Sequence, residues 1–207
     1  MNVLSGAYID TNKRYASKCF PLPEMRYIKA RGANDYMCLA YAGHIVLEVI
    51  MEDGHFYFIK DEFYDNLPDC NLMTNKGYGV QGTGGRPCHY CLKYDDYYWM
   101  IPISSKVEKF RNIYNNKIAK RGYCDTICFG FVNGEERAFL VQNCFPVVEQ
   151  YIDCEYRVNK NTVSVTVSTE LSSELNGLVR KVIRLYESGI IIPLTKLDRI
   201  MDFLKNK

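Results

Sequence analysis

Long apolar stretches are missing from this chain of 207 residues. Its purely hydrophobic runs are as short as Ile190 to Ile192, whereas a membrane-spanning helix needs roughly 20 apolar residues in a row, so no membrane crossing is expected. An excess of one charge is missing too: with 26 Lys and Arg against 24 Asp and Glu, no global field draws the protein to nucleic acid, and any basic footprint has to be local. No P-loop or metalloprotease HExxH occurs, nor any internal repeat or low-complexity segment. No cleavable hydrophobic signal precedes the nine cysteines, whose spacing does not repeat, so reduced thiols in a cytoplasm are expected. What is present is a core-forming composition, 47% hydrophobic and 24% charged, which excludes a disordered or collagen-like chain. The length fits one domain, or one domain with an appendage. The aromatic share of 14%, with 17 tyrosines, serves an aromatic-rich sheet and stacking on bases equally well.

A seam falls at Met51. Residues 1–50 scatter Gly, Ala, Tyr and Cys without a sustained period, and only His44 to Ile50 reads as a strand. Leu47-Glu48-Val49-Ile50 can be encoded so that the letters GGAGGT stand just ahead of the Met51 codon, as a bacterial ribosome-binding site would. The expectation is a translated leader over 1–50, with a genuine or poorly ordered extension as the alternative, and a domain over 51–207.

From Met51 onward, strand signals fall at His55 to Lys60, Cys88 to Tyr94, Tyr97 to Ile103, Thr126 to Val132, Ala138 to Gln142, Tyr151 to Val158 and Val163 to Val167. Asp95-Asp96 and Asn133-Gly134 mark two hairpins. The glycine-rich stretch Asn71 to Gly85 reads as a flexible loop of the kind that contacts ligands. Three helices are predicted: about Lys106 to Lys120, opened by a capping box Ser105 to Glu108; Glu170 to Glu187, with Leu171, Leu175, Leu178, Val182, Leu185 and Tyr186 inward; and one opened by Pro193. The class is α+β: a compact, strongly curled antiparallel sheet or barrel with peripheral helices.

Chemistry concentrates where the strand Trp99-Met100-Ile101-Pro102-Ile103 ends in Ser104-Ser105-Lys106 at a helix start. The first amides of a helix lack partners and its dipole is positive there, so a phosphate would fit. The helix carries Lys106, Lys109, Arg111, Lys117, Lys120 and Arg121 against the single acid Glu108. The same residues also fit a plain N-cap and a solvated face. Gly84-Gly85-Arg86-Pro87 enters the neighbouring strand of the hairpin, which should bring Arg86 beside Ser104. Gln142 and Asn143 fit base-edge contacts or a satisfied turn. Cys88 and Cys91 around His89 look like a zinc half-site, but strand alternation parts them and only Cys124 and Cys128 offer a poor second pair, so no metal is expected. His89 is either an acid–base group aimed at Ser104 or a packed histidine.

These residues resemble a known family. Phe56-Tyr57-Phe58-Ile59-Lys60, Arg86-Pro87-Cys88, Trp99 to Lys106, Cys124-Asp125-Thr126 and Phe139-Leu140-Val141-Gln142-Asn143 look like the toxins of type III toxin-antitoxin systems, the ToxN/AbiQ superfamily and within it the CptIN group. The similarity covers Met51 to about Leu204; MazF/Kid toxins are more distantly similar. The resemblance implies a metal-independent, cofactor-free endoribonuclease, held by a small repeat RNA, in which the substrate 2′-hydroxyl attacks its own phosphate and leaves a 2′,3′-cyclic phosphate and a 5′-hydroxyl. Ser104 and Ser105 would then hydrogen-bond the scissile phosphate, with Lys106 and Arg86 stabilising its added charge, and Lys109, Arg111, Lys117, Lys120, Gln142 and Asn143 would contact RNA. Cellular or phage RNA would be the substrate, and an RNA-bridged homo-oligomer is compatible. A MazF-like ribonuclease with a protein antitoxin and a non-catalytic RNA-binding barrel are the alternatives.

Overall fold

The computed structural model describes residues 51–75, 85–190 and 194–206 in full and, ahead of them, the backbone of four strands. It divides into two compact units, Met1–Met51 and Glu52–Lys207. The first unit carries β1 (Ala7–Ile9), β2 (Arg26–Ala30), β3 (Tyr36–Tyr41) and β4 (His44–Val49), paired antiparallel in chain order. This corrects the expectation of a single strand there. Strand β3, for instance, pairs with β4 in a register that sets Cys38 opposite Leu47, a partnership that no period within either segment announces.

The second unit contains β5 (Phe56–Ile59), α1 (Asp61–Asp65), β6 (Cys88–Tyr94), β7 (Tyr97–Ser104), α2 (Val107–Arg121), β8 (Cys128–Val132) and β9 (Glu135–Phe139). After these come β10 (Phe145–Val147), β11 (Ile152–Glu155), β12 (Arg157–Val158), β13 (Val163–Ser164), α3 (Thr169–Glu187) and α4 (Leu197–Lys205). The main sheet runs β11-β5-β6-β7-β9-β8 with β10 added to β7, and every pairing is antiparallel. The α+β class with an antiparallel sheet and several helices is therefore observed. Both hairpins form where expected, with Asp95 at φ 52°, Asn133 at φ 52° and Gly134 at φ 78° supplying the left-handed turn residues.

Strand β7 is the centre of the sheet, and it changes partner along its length. On one side it pairs with β6 from Tyr97 to Pro102; on the other, Tyr98 to Met100 face β10 while Ile103 and Ser104 face β9. Pro102, which has no amide to donate, falls in the gap between those two partners, and its carbonyl accepts from Leu140 N at 3.1 Å. The switch ends β9 at Phe139, so the segment after it turns into a 3-10 turn at Val141–Asn143 where the sequence predicted a strand to Gln142. Likewise the strand expected over Tyr151 to Val158 is cut into β11 and β12, because the chain leaves β5 for its own hairpin with β13.

The core joins Phe56, Trp99, Ile101, Phe139 and Val141 of the sheet side to Leu175, Val179, Val182 and Ile183 of α3. The inward face of α3 is thus rotated from the predicted one toward Val179 and Ile183, leaving Leu171, Leu178 and Tyr186 at its edge. Ser168 caps this helix by accepting from Leu171 N at 3.2 Å. Pro193 lies outside the described residues, and α4 begins at Leu197. Gly130 shows how closely α3 is seated: a Cβ there would stand 2.1 Å from Leu171 Cδ2. Gly130→Val should therefore lower stability by about 1–3 kcal/mol in urea unfolding, with Leu171→Ala in the same chain recovering part of the loss.

Candidate active site at the end of the central strand

Ser104 closes β7, paired with Ala138 of β9, and is 6% exposed. Its Oγ accepts from Lys106 N at 3.2 Å. The capping box expected at Ser105 is corrected by this geometry: α2 starts at Val107 with Lys106 as its N-cap and no side-chain cap, and the hydroxyl that satisfies a nearby amide belongs to Ser104. Ser105 and Lys106, freed from that task, are both exposed. At the other end of α2, Gly122 adopts φ 78° and its amide closes on Ile118 O at 2.8 Å.

Arg86 comes to the same place. The hairpin pairs Cys88 with Pro102, and that register carried two residues further sets Arg86 beside Ser104. Its Nη1 donates to Ile103 O at 2.6 Å and its Nε to Thr74 O at 3.4 Å. Its backbone is held as well, since Arg86 N donates to Asn75 Oδ1 at 2.6 Å, while Asn75 Nδ2 reaches Asp61 Oδ1 at 2.7 Å. Gly85 permits that approach, because a Cβ on it would lie 3.0 Å from Asn75 Oδ1. Among the described residues these two bonds engage two of the five guanidinium N–H groups. Asn75 is a positioning residue that the sequence reading missed. Its place within a glycine-rich stretch was the available signal; Gly77, Gly79, Gly82 and Gly84 of that stretch lie outside the described residues.

The remaining basic residues divide. Lys109 and Lys120 are exposed, Lys109 standing 5.6 Å over the Phe110 ring. Arg111 instead pairs with Glu136 at 2.6 Å and lies 4.3 Å over Phe129. Lys117 donates to Thr126 Oγ1 at 2.6 Å and Gln142 Oε1 at 2.9 Å. Eleven residues beyond Lys106, it sits roughly 16 Å along the helix from the strand-end group. Gln142 is thus engaged by a side chain of α2, and Asn143 is buried. Next to this tether, the ammonium of Lys181 pairs with Asp125 and, against the effect of burial, holds that carboxyl below its ordinary value.

His89 is fully buried between Phe56, at a ring distance of 5.3 Å, and Phe139, at 5.7 Å. Burial pushes its pKa down to about 3, so it is a neutral packed ring rather than an acid–base group at the strand end. Cys88 packs against Tyr64 at 4.0 Å while Cys91, at a bulge in the β6–β7 pairing, lies in the main core. Burial raises the Cys88 thiol to about 12, which removes it as a nucleophile at neutral pH. Among the described residues no group of three or more His, Cys, Asp and Glu side chains converges as metal ligands would, and no helix is long and apolar enough to cross a membrane.

Arg86 thus bonds the end of the strand that exposed Ser105 and Lys106 continue into the start of a 15-residue helix, and a guanidinium, an ammonium, a hydroxyl and helix first-turn amides are the groups that hold a phosphate diester. A scan against protein-family models and a search of curated proteins both find no match to this chain.

Proposed function

We propose that the chain is a metal-independent endoribonuclease toxin of the type III, RNA-antitoxin kind, built on a curled MazF/Kid-like sheet and acting in the cytoplasm. The observation that carries this reading is the reach of Arg86 across the hairpin to Ile103 O, beside exposed Ser105 and Lys106. In the proposed step the ribose 2′-oxygen bonds to phosphorus and gives up its proton as the 5′-oxygen departs and gains one. The phosphorane between them carries extra negative charge, which Arg86 and Lys106 oppose while Ser105 donates to a non-bridging oxygen. Ser104 acts at one remove by fixing the Lys106 amide. Exposed Lys109 and Lys120 would extend the contact along a substrate strand or a repeat antitoxin RNA, whereas Arg111, Lys117 and Gln142 would support the helix that presents them.

Purified protein incubated with single-stranded RNA in EDTA tests this directly. Cleavage should persist and leave 2′,3′-cyclic phosphate and 5′-hydroxyl ends, and Ser105→Ala should slow it about tenfold. Binding without cleavage would favour the RNA-binding alternative, and 3′-hydroxyl ends or a requirement for added metal would overturn the mechanism.

A further inference from the structure

A second polar concavity lies away from the strand-end residues and shares none of them. On α3, Ser172, Asn176 and Arg180 recur every fourth residue and so lie along one stripe of the helix. The Asp53-Gly54 turn forms the opposing wall. Gly54, at φ 86°, faces Ser172, a Cβ on it being in ordinary contact at 3.8 Å from Ser172 Oγ, and its carbonyl accepts from Val167 N at 3.0 Å, which holds the wall in place. Between wall and stripe is a groove of about 510 Å³.

Two features of this groove are unexplained by packing. Ser172 is 8% exposed, and its Oγ and the Asn176 Oδ1 are buried with no hydrogen-bond partner among the described residues. Such groups are ordinarily satisfied, because leaving them bare destabilises the fold. Gly177, in the middle of α3, weakens the helix relative to alanine, yet nothing lies within 4 Å of where its Cβ would be. Close helix packing does not require this glycine; a side chain there would enter the groove.

We propose that the groove binds a guanosine nucleotide unit, with the base edge toward Asp53 and Asn176 and the phosphate on Arg180. The Asp53 carboxylate and Asn176 Oδ1 are acceptors, so the ligand face they meet has to donate twice. Guanine offers adjacent N1–H and N2–H₂ donors, whereas adenine and cytosine set one amino group beside an acceptor and uracil has one imino donor. The Ser172 hydroxyl is left to donate to the guanine O6. Arg180 stands two turns beyond Ser172, about 12 Å along the axis, and helical side chains tilt back toward the N-terminus, which brings its guanidinium over the bare turn at Gly177. The unit could be a free guanine nucleotide or one guanosine of a single-stranded RNA.

Calorimetric titration of the full chain with GMP, AMP, CMP and UMP, and with a 2′-O-methyl oligouridine carrying one guanosine, tests the proposal. The methylated strand is inert to 2′-hydroxyl attack, so the result is independent of any nuclease activity. GMP or the guanosine strand should bind at least about tenfold more tightly than AMP or plain oligouridine respectively. Binding of GMP alone assigns a free nucleotide, and binding of the strand alone assigns RNA. Gly177→Leu should abolish binding with unchanged circular dichroism, and Asp53→Asn, on an exposed turn, should erase the preference for guanine. Failure of both guanosine ligands to bind, or binding indifferent to both substitutions, would overturn it.

Discussion

RNA cleavage by the Arg86→Ala chain should fall about 10²–10³-fold, the usual consequence of removing a donor aimed at developing transition-state charge. Arg86 also holds the loop carbonyl of Thr74 and the strand carbonyl of Ile103, so a drop in activity by itself would not separate chemistry from scaffolding. Arg86→Lys makes the separation. It keeps a cation at the strand end but cannot bridge two carbonyls and a phosphate at once, because an ammonium lacks the planar fork of the guanidinium. The lysine chain should retain about a tenth of the activity and the alanine chain far less, with both melting within a few degrees of the parent. Asn75→Ala, which releases the Arg86 amide without touching substrate, should lower cleavage less than Arg86→Ala and be additive with Ser105→Ala rather than with Arg86→Ala. Folded Arg86→Ala protein that cuts RNA at the parental rate would remove the residue from the mechanism.

Acid should destabilise the second unit through His89 before its carboxylates begin to titrate. In the folded chain the imidazole is held to about 3 by burial, whereas in the unfolded chain it returns to about 6.5. The depressed folded value means that its stabilising contribution is complete above the unfolded pKa and is lost as pH falls. Below about pH 6.5 the unfolded chain takes up a proton that the folded chain refuses, and stability declines with a limiting slope of about 1.4 kcal/mol per pH unit. From pH 8 to pH 5 the loss from this one group should be about 2 kcal/mol, and by pH 4 about 3 kcal/mol. His89→Met keeps an apolar side chain of comparable size between Phe56 and Phe139 and should flatten the decline above pH 5. Glu155 contributes in the same direction only at lower pH: burial raises its pKa, but hydrogen bonds from Ser164, His55 and Arg157 outweigh that and hold it below the ordinary range. Urea unfolding of both chains at pH 8, 6 and 5 checks this, and parallel pH dependences would show that the imidazole is not the group responsible.

Local signals were legible wherever a few neighbouring residues determine the backbone. Asn133-Gly134 and Asp95 make their turns because short polar residues and glycine accept positive φ at little cost. Strand β10 and helix α1 were not legible, because neither has a period of its own. Phe145 finds its place opposite Met100, and Phe63 finds its place against Phe145 at 5.6 Å and Tyr151 at 5.4 Å. The run of cations on α2 was legible, but their partners were not, since packing decides which of them a carboxylate or an amide from another element reaches: Glu136 reaches Arg111 and Gln142 reaches Lys117.

The amino-acid order by itself determined an α+β chain whose central hairpin ends in two hydroxyls and a cation at a helix start, since alternation, turn residues and helix periodicity act over distances of a few residues. Only the tertiary structure decided that Ser104 turns inward to hold the Lys106 amide while Ser105 stays exposed, that Asn75 anchors Arg86 from a loop, and that β7 exchanges β10 for β9 at Pro102. Those outcomes depend on which distant group arrives to satisfy each backbone and side-chain polar atom, and that competition is settled by packing across the sheet rather than along the chain.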